Sequence, residues 1–508
     1  MIQCVKAPSE KEYKALKKHF SLRQKGYFLK PAFRKGFWDG YDHFFNDVYL
    51  PIGLWGELQD YVVSNGYDFN INGLDKFLNF TLDRDMVFDF IATLFENTGI
   101  NPRWYQYESI YRILKYRYSA QQLSTSSGKT MISFAVYAYL KHTGAVDKNN
   151  KFLMIVPRSG LVKQTYEKFI GGYDNGTVKV EAMMVGGGVK FDIDMFNNCD
   201  CVISTYQSLN NLPLSLFSKV KTINVDEAHT AKTESICSII KASTPLRYRF
   251  GCSGTLVEAR GYSEYYKNLE QLGPLTMVYD AKDLIDDGYA PNVKIIQLHL
   301  DYSRRMQEGN ISGYMEYRRK KPSPNTDEEL IYFKSLYTIE RDMILNDEIR
   351  FNAIMNYVMG LDKNTLILFN DVKNEHGVRI CQYLGDRGVT CDYIDGGTKN
   401  SDRELYISKI EGSSKMMLVA SYGTFSTGID LKNVHYIVEM ESFKSPTLIG
   451  QSIGRGLREF KGKKEVVIID VIDGLYKHTV NQSKDREKLY NKQDYSIERV
   501  DIVLDVKN

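Results

Sequence analysis

Short apolar runs that end in small or polar residues constrain this chain more than any other feature of its sequence. The first group comprises KFLMIVP (151–157), CDCVIST (199–205), KTINVDE (221–227) and YRFGCSGT (248–255). A second group repeats the pattern in NTLILFN (364–370), MMLVASY (416–422), VHYIVEM (434–440) and EVVIIDV (465–471). Continuous apolar runs of this length, separated by helical stretches, are typical of strands buried on both faces of a parallel sheet. The sequence therefore predicts an α/β fold with two parallel sheets in tandem.

The N-terminal part differs in composition from these two groups. Residues 1–40 contain ten lysine and arginine residues and three acidic residues, a net charge of +7, whereas the whole 508-residue chain carries +3. In the second half of this segment, cations alternate with aromatic residues. The candidates for contact with DNA there are Lys30, Arg34, Lys35 and Trp38. Cations suit a phosphate backbone, and aromatic rings suit stacking on bases. A solvated helix face and the core of a small domain would explain the same residues, so these alternatives stay open.

Together these patterns predict five segments along the chain. They are a small α+β DNA-binding domain (1–98), a first sheet domain (99–290), a charged linker or helical insertion (291–345), a second sheet domain (346–480) and a C-terminal tail (481–508). No apolar run reaches about 18 residues, so we expect no membrane-spanning helix. Seven scattered cysteines without a C-x-x-C pair indicate a reduced, cytoplasmic protein without a structural metal.

The stretch LSTSSGKT (123–130) ends like a phosphate-binding loop, although Leu123 stands where the usual pattern has glycine. An apolar helical stretch follows, so backbone N–H groups of the small residues would surround phosphate at a helix N-terminus. Lys129 would reach the β- and γ-phosphates, and the Thr130 hydroxyl would coordinate Mg²⁺. The small residues of the loop are Ser126, Ser127 and Gly128. A Gly-Lys-Thr tripeptide by itself also occurs in ordinary loops.

Two further motifs supply what hydrolysis of a nucleoside triphosphate by a phosphate-loop enzyme needs. In INVDEAH, Asp226 can hold Mg²⁺ through water, and Glu227 can orient and deprotonate the attacking water. In QSIGRGLRE, Arg455 and Arg458 stand three residues apart, so both are expected on one face of a helix. Such a pair can neutralise charge that develops on the γ-phosphate. Each motif alone fits a polar strand end or a salt-bridged helix, but the three together predict an ATP hydrolase with ATP and Mg²⁺ as its cofactors.

This combination resembles the superfamily 2 helicases over roughly residues 100–472. The resemblance implies two RecA-like domains with ATP in the cleft between them, and in that family the first loop glycine is often replaced. It assigns adenine recognition to Tyr105 and Gln106, and contact with the nucleic-acid strand to Pro157, Arg158, Thr205 and Gln207. It assigns the coupling of ATP to nucleic acid to His229, Ser253, Gly254 and Thr255. The remaining family motifs place Gly428 and Asp430 beside the nucleotide and give Gln451 a catalytic role with the two arginines.

A closer resemblance, to the UvsW-type helicases of tailed phages, covers nearly the whole chain. It rests on FLKPAFRKGFWDG (28–40) and LPIGL (50–54), together with WYQ, TSSGKT and ASYGTFSTGI further along. The resemblance implies RecG-like activity: fork regression, Holliday-junction branch migration and D-loop or R-loop unwinding in recombination, replication and repair. The implied partners are branched, forked or duplex DNA, with single-strand tracking by the motor, and other recombination and replication proteins. The implied location is the cytoplasm of a bacterial or phage-infected cell.

Other classes of protein remain open at this point. A motor subunit of a restriction-type system would share the ATPase motifs, although it should also bring a nuclease. An RNA helicase would share them too, because motor contacts run mainly to the backbone of the strand. A nucleic-acid binder with a decayed motor is disfavoured, since Lys129, Asp226, Glu227 and Arg458 are all present.

Overall fold

The computed structural model of the chain describes residues 2–6, 9–24, 26–46, 48–67, 70–74, 80–173, 175–257, 263–303, 327–370, 372, 375–425, 431–441 and 446–504. Its internal contacts divide the chain into two units, Met1–Asp280 and Ala281–Asn508. Each unit contains its own large parallel sheet. Within the described ranges, no helix combines the length and the apolar character that crossing a membrane requires.

The first unit begins with a small α+β region. Its strands are β1 (Ile2–Lys6), β2 (Ser21–Arg23), β3 (Tyr41–His43), β4 (Tyr49–Leu50) and β5 (Asn70–Asn72). Its helices are α1 (Glu10–His19), α2 (Pro31–Arg34), α3 (Trp55–Asn65) and α4 (Arg84–Phe95). Strand β1 pairs antiparallel with β4 and β5, and β2 pairs antiparallel with β3. Gly26, Gly36 and Gly40 lie between the short elements, and all three have a positive φ, the conformation that glycine adopts readily in turns.

A parallel sheet of seven strands forms the rest of the first unit. The strands are β6 (Tyr118–Leu123), β7 (Lys151–Val156), β8 (Ala182–Val185), β9 (Cys201–Thr205), β10 (Val220–Asp226), β11 (Tyr248–Ser253) and β12 (Leu275–Tyr279). Their order across the sheet is β12-β6-β11-β10-β7-β9-β8. The helices are α5 (Trp104–Tyr116), α6 (Lys129–His142), α7 (Ser159–Glu167), α8 (Ile193–Asn198), α9 (Tyr206–Leu209), α10 (Glu234–Ala242) and α11 (Ser263–Leu272). The apolar runs of the first group form β7, β9, β10 and β11, as predicted.

The small N-terminal region and the sheet behind it share one hydrophobic core. Phe20 and Phe44 both pack on Tyr266 of α11, with ring centroids 5.7 and 5.3 Å apart. Leu16, Phe20 and Leu54 belong to the same buried cluster as the α11 residues Tyr265, Tyr266 and Leu269. Polar contacts surround this interface, since the Tyr265 hydroxyl donates to Glu57 Oε1 over 3.2 Å and Lys267 Nζ lies 2.8 Å from Asp42. The N-terminal region is therefore part of the first unit.

The second unit contains another seven-stranded parallel sheet. Its strands are β13 (Asn292–Asp301), β14 (Thr365–Phe369), β15 (Cys391–Ile394), β16 (Met417–Ser421), β17 (Tyr436–Glu439), β18 (Glu465–Asp473) and β19 (Ser496–Val503). Their order is β15-β16-β14-β17-β18-β13-β19. The helices are α12 (Ala281–Asp286), α13 (Asp327–Leu345), α14 (Glu348–Met359), α15 (His376–Gly385), α16 (Asn400–Gly412), α17 (Tyr422–Phe425), α18 (Pro446–Gly456) and α19 (Lys477–Lys492).

The predicted fold class, two tandem RecA-like sheets behind a small α+β domain, is confirmed. The structure differs from the predicted boundaries of the second sheet. Strand β13 lies within the predicted linker (291–345) and β19 within the predicted tail (481–508), yet β13 pairs with both β18 and β19. Polar residues interrupt the apolar residues of both strands, so their pattern is weaker than that of the fully buried strands. The second sheet domain therefore extends at both ends beyond residues 346–480.

Candidate active site

The predicted phosphate loop connects strand β6 to helix α6. Ser126 and Gly128 both have positive φ, +73° and +85°, and Gly128 is the residue before the first turn of the helix. A Cβ atom at Gly128 would lie 2.4 Å from the side-chain nitrogen of Gln106, so any larger residue would displace that amide. Two reasons therefore favour glycine at position 128: its backbone has a positive φ, and the Gln106 amide leaves no room for a Cβ atom. The turn leaves the N–H groups of the first helical turn free of intrahelical partners, as an anion site requires.

Two residues of α5 fix the loop from behind. Gln106 Nε2 and the Tyr105 hydroxyl both donate to the carbonyl oxygen of Ser127, over 2.8 and 2.9 Å. Gln106 Oε1 accepts from the backbone N–H of Arg103 over 2.8 Å, so its amide is held at both ends. Tyr105 is fully buried and stacks on Tyr279, with ring centroids 4.0 Å apart. Adenine recognition by these two residues stays a prediction, and in the structure both side chains hold the loop.

Lys129 and Thr130 begin helix α6 immediately after the loop. The Lys129 ammonium donates to the carbonyl oxygens of Leu123 and Ser124 over 3.4 and 3.2 Å, which curls its side chain back over the loop. Ser127 is buried, and its hydroxyl has no hydrogen-bond partner in the described part of the chain. A buried hydroxyl and a loop-directed ammonium are groups that a phosphate would satisfy.

The acid pair stands at the carboxyl end of β10. Asp226 is the last residue of the strand, and Glu227 has left-handed backbone angles of φ 59° and ψ 66°, which are uncommon outside glycine. This turn directs the Glu227 carboxylate toward the end of the neighbouring strand β11. There, the Ser253 hydroxyl donates to Glu227 Oε2 over 3.1 Å. His229 Nδ1 lies 2.8 Å from the Ser253 oxygen. Because that hydroxyl gives its single proton to the carboxylate, His229 must carry its own proton on Nδ1.

The two carboxyl groups differ in their electrostatics. Burial, and secondarily the charge of Glu227, raises the pKa of Asp226. Burial acts in the same direction on Glu227, but hydrogen bonds from His229 and Ser253 and the charge of Lys129 outweigh it and lower the pKa of that carboxyl. Glu227 is therefore held as a carboxylate, the form that accepts a proton. Asp226 has less compensation for its charge, so a cation next to it would be favoured.

The predicted coupling residues connect this acid pair to the loop. Ser253 ends β11, and Gly254 lies against the loop, where an added Cβ would come 3.5 Å from the backbone nitrogen of Thr125. The Thr255 N–H donates weakly to Ser253 Oγ over 3.4 Å. Gln122, which sequence reasoning missed, also connects β6 to the segment after Thr255, because its Oε1 accepts a hydrogen bond from the backbone N–H of Val257 over 2.6 Å. The structure thus brings the loop, the acids and the coupling segment together within the first unit.

The predicted strand-contact residues follow β7 and β9, which are parallel neighbours with Val156 opposite Thr205. Arg158 and Gln207 are exposed, and Pro157 is half-buried. Thr205 differs from the expectation because it is buried. Its hydroxyl accepts from the N–H of Ser208 over 3.2 Å at the start of helix α9. We therefore assign Thr205 to helix capping, and contact with nucleic acid stays a prediction for Pro157, Arg158 and Gln207.

In the second unit, α18 carries part of the predicted arginine motif. Gln451 and Arg455 lie on this helix, and their side chains fall outside the described residues, as do Gly428 and Asp430 entirely. The expectation that Arg455 and Arg458 share one helix face is wrong, because α18 ends at Gly456. Two glycines in the last three residues, Gly454 and Gly456, weaken the helix there. Lys463, which sequence reasoning missed, is buried and donates to the carbonyl oxygen of Gly456 over 2.6 Å.

Comparison with known proteins adds to this geometry. Three family models match in order along the chain: "DNA helicase UvsW, N-terminal" (4–72), "Type III restriction enzyme, res subunit" (99–258) and "Helicase conserved C-terminal domain" (350–459). The ATP-dependent DNA helicase uvsW of Enterobacteria phage T4 is 27% identical over 507 residues, covering 98% of this chain and 94% of its own length. The chain is a superfamily 2 helicase of the UvsW type. It is accordingly an ATP hydrolase.

Two solved structures are similar to this UvsW-type helicase. The crystal structure of T4 UvsW matches 98% of this chain and 96% of its own, with 23% identity and a TM-score of 0.46. The ATP-dependent Type ISP restriction-modification enzyme LlaBIII bound to DNA matches 80% of this chain at 14% identity and a TM-score of 0.53, but only 32% of its own length. The second likeness supports the fold alone. The restriction motor and the RNA helicase are not favoured, because the alignment with the phage T4 DNA helicase covers nearly all of this chain and nearly all of that relative.

The N-terminal candidates of this UvsW-type helicase lie in the segment around α2. Lys30, Arg34 and Lys35 are exposed, as contact with a polyanion requires. Trp38 is half-buried, and its indole N–H donates to the carbonyl oxygen of Tyr41 over 2.8 Å. The Lys30 ammonium lies 5.8 Å from the centre of the Trp38 ring. Trp38 is thus a scaffold residue of this segment as well as a candidate contact.

Proposed function

We propose that this helicase acts on DNA and remodels branched forms of it: regressing forks, migrating Holliday junctions and unwinding D-loops or R-loops during recombination, replication and repair. The observation that carries the proposal is the packing of the basic N-terminal region onto helix α11. That helix follows the coupling residues Ser253–Thr255 in the chain, and it shares a buried core with the N-terminal region. The phage relative is named as an ATP-dependent DNA helicase. We place the protein in the cytoplasm of a bacterial or phage-infected cell, with recombination and replication proteins as partners.

We assign the chemical steps to residues of the first unit. Lys129 and the N–H groups of Ser126 and Gly128 bind the β- and γ-phosphates of ATP, and the N–H of Ser127 joins them by releasing the carbonyl oxygen of Ser124, to which it donates over 3.2 Å. Glu227, kept ionised by Ser253 and His229, orients the attacking water and accepts its proton. We assign recognition of the adenine base to Tyr105 and Gln106, and Gln106 also holds the loop through its bond to the Ser127 carbonyl oxygen.

A magnesium ion fits the donor atoms at this site. Thr130 offers a hydroxyl beside the loop, and Asp226 offers a carboxylate whose pKa is raised by burial and, secondarily, by the charge of Glu227. Mg²⁺ takes oxygen ligands, usually one or two from the protein with the rest from water and phosphate. When bound, the ion neutralises charge on the phosphates during transfer. Asp226 and Thr130 are the residues that would hold it.

The second unit supplies the remaining assignments. We propose that Arg455 and Arg458 neutralise charge developing on the γ-phosphate, with Gln451 beside them and Gly428 and Asp430 next to the nucleotide. Because Arg458 lies beyond α18, the two arginines hold separate positions and need not be equivalent. The Lys463 ammonium, which binds the carbonyl oxygens of Gly456 and Arg458, fixes the backbone that carries Arg458.

The test is ATP hydrolysis by the full chain with DNA of matched sequence as single strand, duplex, fork and four-way junction, and with RNA of the same lengths. We expect forked and four-way DNA to stimulate hydrolysis more than duplex DNA. Equal stimulation by all forms of DNA would contradict the branched-DNA assignment. Stronger stimulation by RNA would indicate an RNA helicase, and cleavage of the DNA would indicate a restriction motor.

A further inference from the structure

The most exposed large apolar side chain in the described part of the chain is Phe37. It retains 82% of its accessible surface, and Phe28 in the same segment retains 55%. An aromatic ring this exposed gains nothing from the core of the protein. Both residues lie in FLKPAFRKGFWDG, the segment between the strands β2 and β3.

The segment holds its shape without help from the Phe37 ring. The Phe37 N–H donates to the carbonyl oxygen of Ala32 over 2.9 Å, and Arg34 Nε donates to the carbonyl oxygen of Phe28 over 3.1 Å. At the end of the segment, a Cβ atom on Gly40 would lie 2.8 Å from the Tyr27 ring, so the chain closes tightly on itself there. Phe37 is therefore presented to solvent by a fixed backbone and loses little conformational freedom if it binds a ligand.

The charges around the two exposed rings are almost all positive. Lys30, Arg34 and Lys35 are exposed between them in the chain. The one acidic residue of the segment, Asp39, is already engaged, since its carboxylate accepts from the Tyr41 N–H over 2.9 Å and lies 3.1 Å from His43 Nε2. A ligand for this surface needs an aromatic face for Phe37 and negative groups for the cations. Nucleic acid offers both in each nucleotide.

The duplex form of DNA does not offer its base faces, because they are stacked within the helix. An unpaired base at the end of a duplex does expose its face. Any of the four bases can stack on an aromatic side chain, because each has a flat aromatic face. Trp38, the ring expected from the sequence, is less suited to this role because it is half-buried and its N–H is bound to Tyr41. The exposed neighbour Phe37 has neither restriction.

We propose that Phe37, assisted by Phe28, stacks on the first unpaired base where duplex DNA opens, while Lys30, Arg34 and Lys35 hold the adjoining phosphates. The inference rests on the proposed function and names the feature of branched DNA that the N-terminal region reads. The region shares its buried core with α11, the helix that follows the coupling residues Ser253–Thr255 in the chain. Binding of this base by Phe37 thereby positions the first unit at the branch point of the DNA.

The experiment uses the full chain and two DNA probes of equal length, a fork with 2-aminopurine at the first unpaired position and a fully paired duplex. Phe37→Ala removes the ring, and Phe37→Tyr keeps it. Val63→Ala is the matched control, because Val63 is an apolar residue of the same region that is 74% exposed on α3. All three variants should melt at the wild-type temperature, since none of these side chains is buried.

We expect Phe37→Ala to weaken fork binding by at least about fivefold, the lower end for one stacked base, and to leave duplex binding unchanged. Its complex should lack the 2-aminopurine quenching seen with wild type, while Phe37→Tyr and Val63→Ala should retain both affinity and quenching. Wild-type fork affinity in Phe37→Ala, or an equal loss on duplex, would overturn the inference. Failure of the wild-type protein to prefer fork over duplex would instead overturn the proposed action on branched DNA, and the inference with it.

Discussion

A Cβ atom on Gly53 would lie 1.8 Å from the carbonyl oxygen of Leu269, so the N-terminal region and helix α11 meet backbone to backbone. Gly53→Ala should force the two apart. We expect a loss of about 1–3 kcal/mol in unfolding free energy, as for other overpacked sites, visible as a lower melting temperature. Gly56→Ala is the control, because Gly56 lies in α3 with nothing within 4 Å of its Cβ position. An equal melting temperature for both variants would show that the contact is dispensable.

The hydrolytic site can be tested with two substitutions. Lys129→Ala should abolish ATP turnover, because it removes the ammonium that meets the phosphates. Glu227→Gln keeps the shape of the side chain but cannot accept a proton, so turnover should fall by about 10²–10⁴-fold while nucleotide still binds. Turnover measured beside the binding of a fluorescent ATP analogue separates the two effects. Near-normal turnover in Glu227→Gln would mean that another residue is the base.

The hydrogen bond from Ser253 should shift the pH dependence of hydrolysis. The bond stabilises the charged form of Glu227 and helps to lower its pKa. Ser253→Ala removes the bond, so the pKa rises and the base becomes protonated at a higher pH. The acid limb of the kcat profile should therefore move to higher pH. Ser133→Ala is the control, since it removes a hydroxyl bound to the Lys129 carbonyl on α6 and leaves Glu227 alone; an equal profile in both variants would contradict the assignment.

Lys463 should stabilise the end of α18. Its ammonium donates to the carbonyl oxygens of Gly456, Lys432 and Arg458, so Lys463→Met should cost about 1–3 kcal/mol by leaving buried acceptors unpaired. Lys464→Met, at an exposed neighbouring position, is the control. Urea unfolding of the second unit measures both.

The same residue carries a pH signature. Burial lowers the pKa of Lys463 to about 8 from 10.5. Between these values the unfolded chain binds more protons than the folded one, so the contribution of Lys463 to stability increases as pH rises through this window. The stability gap between wild type and Lys463→Met should therefore be wider near pH 10 than near pH 7.5. A stability difference that stays constant between pH 7.5 and pH 10 would mean that burial does not lower the pKa of Lys463.

The basic cluster should set the salt dependence of DNA binding. Each phosphate contact contributes about −0.9 to the slope of log affinity against log salt concentration on duplex DNA. The double variant Arg34→Ala with Lys35→Ala should therefore make this slope less steep by nearly 2. Lys14→Ala is the control, because Lys14 lies in the same region but pairs with Glu10 over 2.7 Å. An unchanged slope in the double variant would remove the cluster from the interface. Deleting residues 1–98 is a poorer test, since it would expose Tyr265, Tyr266 and Leu269 of α11.

The sequence predicted the central strands of both sheets because they are buried on both faces and therefore continuously apolar. It missed strands at or near sheet edges, such as β8, β15 and β19, whose half-exposed residues break the pattern. The phosphate loop and acid pair were identifiable because their chemistry requires particular residues at fixed spacing. The left-handed turn at Glu227, the role of Gln122 and the buried Lys463 leave no local signal, since each depends on a partner distant in the chain.

The sheet order of the second unit has a consequence for how the chain is made. Strand β13 lies between β18 and β19, yet it leaves the ribosome long before either neighbour exists. All strands of the first unit lie in residues 1–280, so that unit can complete its sheet and gather the N-terminal region while the rest is still being translated. The second unit must keep β13 unpaired until the closing strands emerge. Its apolar residues, including Ile295 and Leu298, are buried in the folded unit but stay exposed on the nascent chain until then, and transiently exposed apolar surface of this kind is prone to aggregation without a chaperone.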